Sequence, residues 1–111
     1  MSYFLFLDDE RFPKDVYWIE LPSVQWVIVR NMDEFKNVIL ERGLPAHISF
    51  DNDLGEDQPE GRECAKWLVD HILDLDIMPE FTFTVHSMNP VAAEAINNYL
   101  TRFFEWMKTR N

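Results

Sequence analysis

The sequence predicts an α/β fold: an open, mostly parallel four-stranded sheet with helices on both faces. Three observations lead to it. Short β-prone stretches alternate with amphipathic helical ones after the first two strands. Three of the stretches run from apolar residues straight into polar chemistry: residues 3–7 into Asp8-Asp9-Glu10-Arg11, 47–50 into Asp51-Asn52-Asp53, and 81–85 into His86-Ser87-Met88-Asn89. The chain has 111 residues, 47% of them hydrophobic, which suits one domain with one packed core over 1–111.

Residues 3–7 are apolar at every position, as in a central strand covered above and below. Residues 10–23 keep no helical period and contain Pro13 and Pro22, so they read as a long irregular connection. The β-branched run 24–30 reads as a second strand. Asn31, with Glu34 three residues on, starts a helix whose apolar face carries Phe35, Val38, Ile39 and Arg42 and which Gly43 and Pro45 stop. A third strand over 47–50 and a loop over 51–60 follow. Residues 61–74 set Cys64, Ala65, Leu68, Ile72 and, just beyond, Leu75 on one stripe, an amphipathic helix. The stretch 81–85 alternates with Thr82 and Thr84, as an edge strand with one wetter face does. Asn89-Pro90 is a cap and first-turn proline for a last helix to about residue 108. Its apolar face holds Ala92, Ala95, Ile96, Tyr99, Leu100, Phe103 and Met107, widened by Phe104 and Trp106. Tyr99, Phe104 and Trp106 fit either a core or a dimer contact.

Right-handed crossovers favour the strand order 2-1-3-4. The first connection then covers one face and the two middle helices the other. With no fifth strand, the last helix is expected to return across the first face.

A net charge of -10, from 20 acidic and 10 basic residues, excludes a broad grip on an extended nucleic-acid duplex but not a small anion or a nucleic-acid end. Cys64 is the only cysteine, which rules out an intrachain disulfide and fits a reducing cytoplasm. No leader pattern or membrane-spanning run is present. The expectation is a soluble monomer or weak homodimer.

In open α/β sheets ligands bind at strand C-termini where the strand order reverses, here between the first and third strands. Asp8, Asp9 and Asp51 fall at that point. Carboxylates crowded together repel unless a cation intervenes, and hard oxygens suit Mg²⁺ or Mn²⁺. Taken singly, each Asp reads equally well as a turn former or cap. Asp53 fits either a self-bonded turn or the metal group, and Glu56, Asp57 and Glu60 read as solvated charges. His86 suits a general acid or base, or a buried structural imidazole. Ser87 can donate to a phosphate oxygen or cap a turn, and Asn89 caps the last helix, whose free amides also attract anions. Arg11 can clamp a phosphate or pair with a nearby acid. Phe12, Tyr17 and Trp18 can stack on a base or plug the open face of the sheet. His47 and His71 read as structural or exposed.

The patterns L-D-D-E-R-x-P, S-F-D-N-D-L-G and V-H-S-x-N-P, in that order over nearly the whole chain, resemble the cyclic-phosphate processing receiver domain, a divergent relative of two-component receivers. The resemblance implies a receiver/flavodoxin-like fold, with Asp8, Asp9 and Asp51 in the acidic Mg²⁺ pocket and Ser87 as its hydroxyl. It also implies action on cyclic phosphate ends of nucleotides or RNA, in RNA repair or related phage and bacterial pathways. The chain departs from an ordinary receiver in lacking the fifth strand with its lysine and in replacing the first helix by a loop. His86 and Arg11 add groups that an ordinary receiver lacks there.

The resulting expectation is a metal-dependent phosphoesterase. Asp8, Asp9, Asp51 and Asp53 are its metal candidates, His86 and Asp51 its catalytic ones, and Arg11, Ser87 and Asn89 its phosphate-binding ones. The alternative is a non-catalytic receiver-like module that senses phosphate or binds a partner. A small inhibitor or adaptor protein is a third reading.

Overall fold

A computed structural model describes residues 2–110. Strands β1 (Phe4–Leu7), β2 (Trp26–Val29), β3 (His47–Phe50) and β4 (Thr82–Val85) make one parallel sheet in the order β2-β1-β3-β4. The register sets Leu7 beside Val29 and Phe50, and Phe50 beside Val85. All four strands therefore end level, and Asp8, Arg30, Asp51 and His86 are the first residues beyond them.

The helices begin where the capping residues lie. Helix α1 (Met32–Arg42) starts at Asn31, whose side chain accepts the Glu34 amide, and stops at Gly43, whose φ of 83° is in the glycine-favouring region. Glu60 and Glu63 cap α2 (Gly61–Leu75) reciprocally. Asn89 caps α3 (Pro90–Thr109), with Pro90 in the first turn. Asn31→Ala is expected to cost about 1 kcal/mol, seen as a lower thermal midpoint that Asn31→Asp largely restores.

One face of the sheet carries Leu5, Leu7, Ile48 and Phe50, all fully buried. Phe35 and Ile39 of α1, Leu68 and Ile72 of α2, and Ile96 and Leu100 of α3 pack into the same core. Phe35 meets Phe50 at 5.9 Å between ring centroids, and Phe104 of α3 stacks on Phe83 at 6.1 Å. Phe83 is registered with Ile48, so its side chain shares the face of Phe50. All three α-helices thus lie on one face. The expectation of helices on both faces is corrected here: β4 offers α3 an apolar landing through Phe81 and Phe83 on the covered side, but Thr82 and Thr84 on the other.

The opposite face is covered by the connection 10–23 instead, including a single 3-10 turn at Pro13–Asp15. Val16 is buried there, and Trp18 donates its indole N–H to the His86 carbonyl at 2.9 Å. Trp18 is thereby a plug for the sheet, while Tyr17 is 84% exposed. Leu75, placed on the buried stripe by its spacing, is exposed because α2 ends there, and Asp76 turns away with a φ of 52°. Ala95, Tyr99 and Trp106 also face out. Among the described residues no helix is long and apolar enough to cross a membrane.

Candidate functional site

Asp8 is fully buried at the end of β1 and is surrounded by donors. Its Oδ1 accepts the amides of Glu10 (3.0 Å) and Arg11 (2.8 Å); its Oδ2 faces His86 Nε2 (3.0 Å) and Arg11 Nη1 (3.4 Å). Burial alone would raise this carboxyl, but the hydrogen bonds from His86, Arg11 and Glu10 outweigh it and hold the pKa at about 2. Arg30, at the end of β2, fixes the same turn by donating to the carbonyls of Asp8 (3.0 Å) and Arg11 (2.6 Å).

Asp51 ends β3, and its carboxylate lies 4.0 Å from Arg11 Nη1. It is almost fully buried and accepts only the Asn52 amide, at 2.9 Å. Burial, and then the charge of Asp8, push its pKa up to about 7. Burial and Asp8 also raise Asp9. The start of α2 is tied to this strand end: the Gly61 amide donates to the Asn52 carbonyl at 2.8 Å, and Asn52 Oδ1 accepts the Arg62 amide at 3.2 Å.

Above these residues is an open crevice of about 240 Å³, lined by Asp9, Glu10, Arg11, Asp51, Asp53, Ser87, Met88 and Asn89. Its wall from the β4–α3 loop is preorganised: Ser87 Oγ accepts the Asn89 amide (3.2 Å), and Asn89 Oδ1 caps α3 through Val91 (3.1 Å) and Ala92 (3.2 Å). Arg11 is steered by Trp18, whose ring centroid is 5.3 Å from its Cζ, and by Met88 Sδ at 3.5 Å. Asp53 is exposed on the rim, its Oδ1 accepting the Gly55 amide at 3.1 Å in a self-bonded turn.

His86 does not line the crevice. It is fully buried, stacked on Phe6 at 4.5 Å and 4° between planes, and bonded through Nδ1 to Ser49 Oγ at 2.7 Å. The pleat explains this, because His86 falls on the face of Thr84 and Ser49 whereas the chain has turned by Ser87.

One ligand atom each from Asp8, Asp51 and His86 lie within 4.8 Å of one another, a group able to hold a metal ion. Crowded, buried carboxylate oxygens with only one guanidinium among them fit a hard divalent cation. Several supporting residues have no role assigned from the sequence patterns: Ser49 and Asn52 stand inside the S-F-D-N-D-L-G pattern, and Thr84, Arg30 and Gly61 stand outside all three patterns. The polar alternation His47-x-Ser49 beside Thr82-x-Thr84 is the signal from which two of them are legible.

No curated protein and no solved structure matches this chain. A family model does: that of the cyclic-phosphate processing receiver domain matches residues 3–102. The matched span contains every residue of the crevice and the acidic group beneath it, and the chain therefore belongs to the cyclic-phosphate processing receiver domain family.

Proposed function

We propose that this crevice binds a cyclic phosphodiester, on a nucleotide or an RNA end, and opens it with the help of Mg²⁺ or Mn²⁺. The observation that carries the reading is the meeting of Asp8, Asp51 and the Arg11 guanidinium at the level ends of β1 and β3. Negative charge held there against burial calls for a cation, and Arg11 brings the anion-binding fork to the same place.

Asp8, Asp9 and Asp51 would hold the ion, with Asp53 on the rim. When bound, such an ion polarises phosphoryl oxygens and makes hydroxide available at neutral pH. Arg11 turns from its acidic partners to a phosphate oxygen, and Ser87 Oγ–H donates to another. Asn89 Oδ1 is committed to capping α3 and the first-turn amides are all bonded, so the contribution of this wall comes from the Asn89 Nδ2 amide and from the positive end of the α3 dipole. His86 reaches the crevice only through Asp8 Oδ2, 3.0 Å from its Nε2.

Incubation of the protein with 2′,3′-cyclic nucleotides and Mg²⁺ or Mn²⁺ is expected to release a monoester. Arg11→Ala should lower kcat about 10²- to 10³-fold, the loss typical of a charge clamp, and Asp51→Asn should abolish turnover. If no cyclic substrate turns over while beryllofluoride still binds the wild type and not Asp51→Asn, the crevice is a phosphate-sensing module instead.

A further inference from the structure

A chain of hydrogen bonds runs along the helix-free face of the sheet to Asp8. Thr82 Oγ1 lies 2.7 Å from His47 Nδ1, and His47 Nε2 lies 3.2 Å from Thr84 Oγ1. Thr84 Oγ1 donates to Ser49 Oγ at 2.8 Å, and Ser49 Oγ is 2.7 Å from His86 Nδ1. His86 Nε2 completes the chain at Asp8 Oδ2. Positions 47, 49, 82, 84 and 86 alternate with apolar ones, so the pleat of β3 and β4 lines them up. The proposed reaction uses only the last two members. Polar groups buried at a sheet surface cost stability unless paired, and here every member of the row is paired.

The direction of each bond follows from counting protons. Asp8 already receives two amides and a guanidinium, which makes it an acceptor only, so His86 Nε2 carries a proton. Ser49 is fully buried between His86 and Thr84 and has one proton to give. Thr84 donates to Ser49, so the Ser49 proton goes to His86 Nδ1. By the same count His47 donates from Nε2 to Thr84, and its bare Nδ1 at 2.7 Å takes the Thr82 proton in preference to the Ala46 carbonyl, which lies at the longer distance of 3.5 Å from Thr82 Oγ1. Reversing one bond reverses all those above it.

We infer that His47, Thr84 and Ser49 are positioning residues that lock His86 in its Nε2–H tautomer and so fix the Asp8 carboxylate toward the crevice. Residues one shell behind a metal or anion ligand act in this way by holding the tautomer and orientation of the imidazole. The inference rests on Asp8 being a carboxylate of the site, but its main test needs no substrate.

Long-range ¹H–¹⁵N correlation spectra of the full chain, labelled with ¹⁵N, report which ring nitrogen carries the proton. The wild type is expected to show a bare Nδ1 and a protonated Nε2 at both His86 and His47. Thr84→Val, which removes the hydroxyl at nearly constant volume, should shift the ring signals of both histidines and weaken Mn²⁺ binding by about 10- to 100-fold; Thr84→Ser should restore them. A bare Nε2 at His86 in the wild type, as a metal-ligating imidazole would show, overturns the inference. So does a Thr84→Val protein whose His86 signals and Mn²⁺ affinity match the wild type. The wild-type spectrum decides even if the valine variant does not fold, and absence of turnover on cyclic nucleotides would leave the result standing.

Discussion

Gly61→Ala is expected to be among the most damaging single substitutions in this protein. A Cβ at position 61 would stand 1.8 Å from the Asp51 carbonyl oxygen, 2.9 Å from its carbonyl carbon and 3.0 Å from Asn52 Cα. All three obstacles are backbone, so no rotamer change relieves the clash. Either α2 lifts from the sheet, pulling Cys64 and Leu68 out of the core, or the end of β3 moves and takes the Asp51 carboxylate with it. Overpacking of this kind costs about 3 kcal/mol or more, which for a chain of this size lowers the thermal midpoint by about 10 °C or more. Calorimetry of the variant measures the first route; loss of Mn²⁺ binding in whatever fraction remains folded measures the second. A midpoint close to wild type would show that the start of α2 yields freely, contrary to the 2.8 Å bond that ties Gly61 to Asn52.

The same glycine shows where sequence reading stops. The sequence places Gly61 at the start of α2, as the structure does, but the reason for a glycine there is a neighbour nine and ten residues back, visible only once β3 and α2 meet. Local signals read well: the third strand has its exact bounds, and Asn31, Gly43, Asn89 and Pro90 mark helix ends because their chemistry acts within one turn. The strand order and the meeting of Asp8 with Asp51 were legible too, since crossover handedness leaves few arrangements. The side taken by α3 was not. Its broad apolar sector points to the face left open over β1, whereas the choice is made by Phe81 and Phe83 against Thr82 and Thr84 on β4, a long-range preference. His86 reads as a reacting group from its place after a strand, yet alternation along β4 turns it inward to Ser49, and the row that begins at His47 emerges only when β3 and β4 are registered.

The second large effect expected is an inverted dependence of stability on pH. Asp51 moves from an ordinary 3.8 to about 7 on folding, through burial and then the charge of Asp8. Between those values the folded chain holds a proton that the unfolded chain has released, so stability falls as pH rises from about 4 to about 7. The full loss is about 4 kcal/mol. Asp9, raised by burial and by Asp8, acts in the same sense. Asp8, lowered to about 2, acts oppositely, but its contribution is complete above 3.8 and is lost only as pH falls from there toward 2. Without divalent ions the thermal midpoint should therefore drop between pH 5 and pH 8, where most single domains are at their most stable. Mg²⁺ competes with the proton for the same carboxylates, so it should stabilise more at pH 8 than at pH 5 and cancel or reverse the slope. Asp51→Asn, which keeps the shape and removes the charge, should flatten the profile, raise the midpoint at pH 8 in the absence of metal, and abolish most of the Mg²⁺ response. An ion-free midpoint that climbs from pH 5 to pH 8, or an Asp51→Asn protein that follows the wild-type curve, would mean that the repulsion between Asp8 and Asp51 is already neutralised by Arg11, and the physical case for a cation between them would go with it.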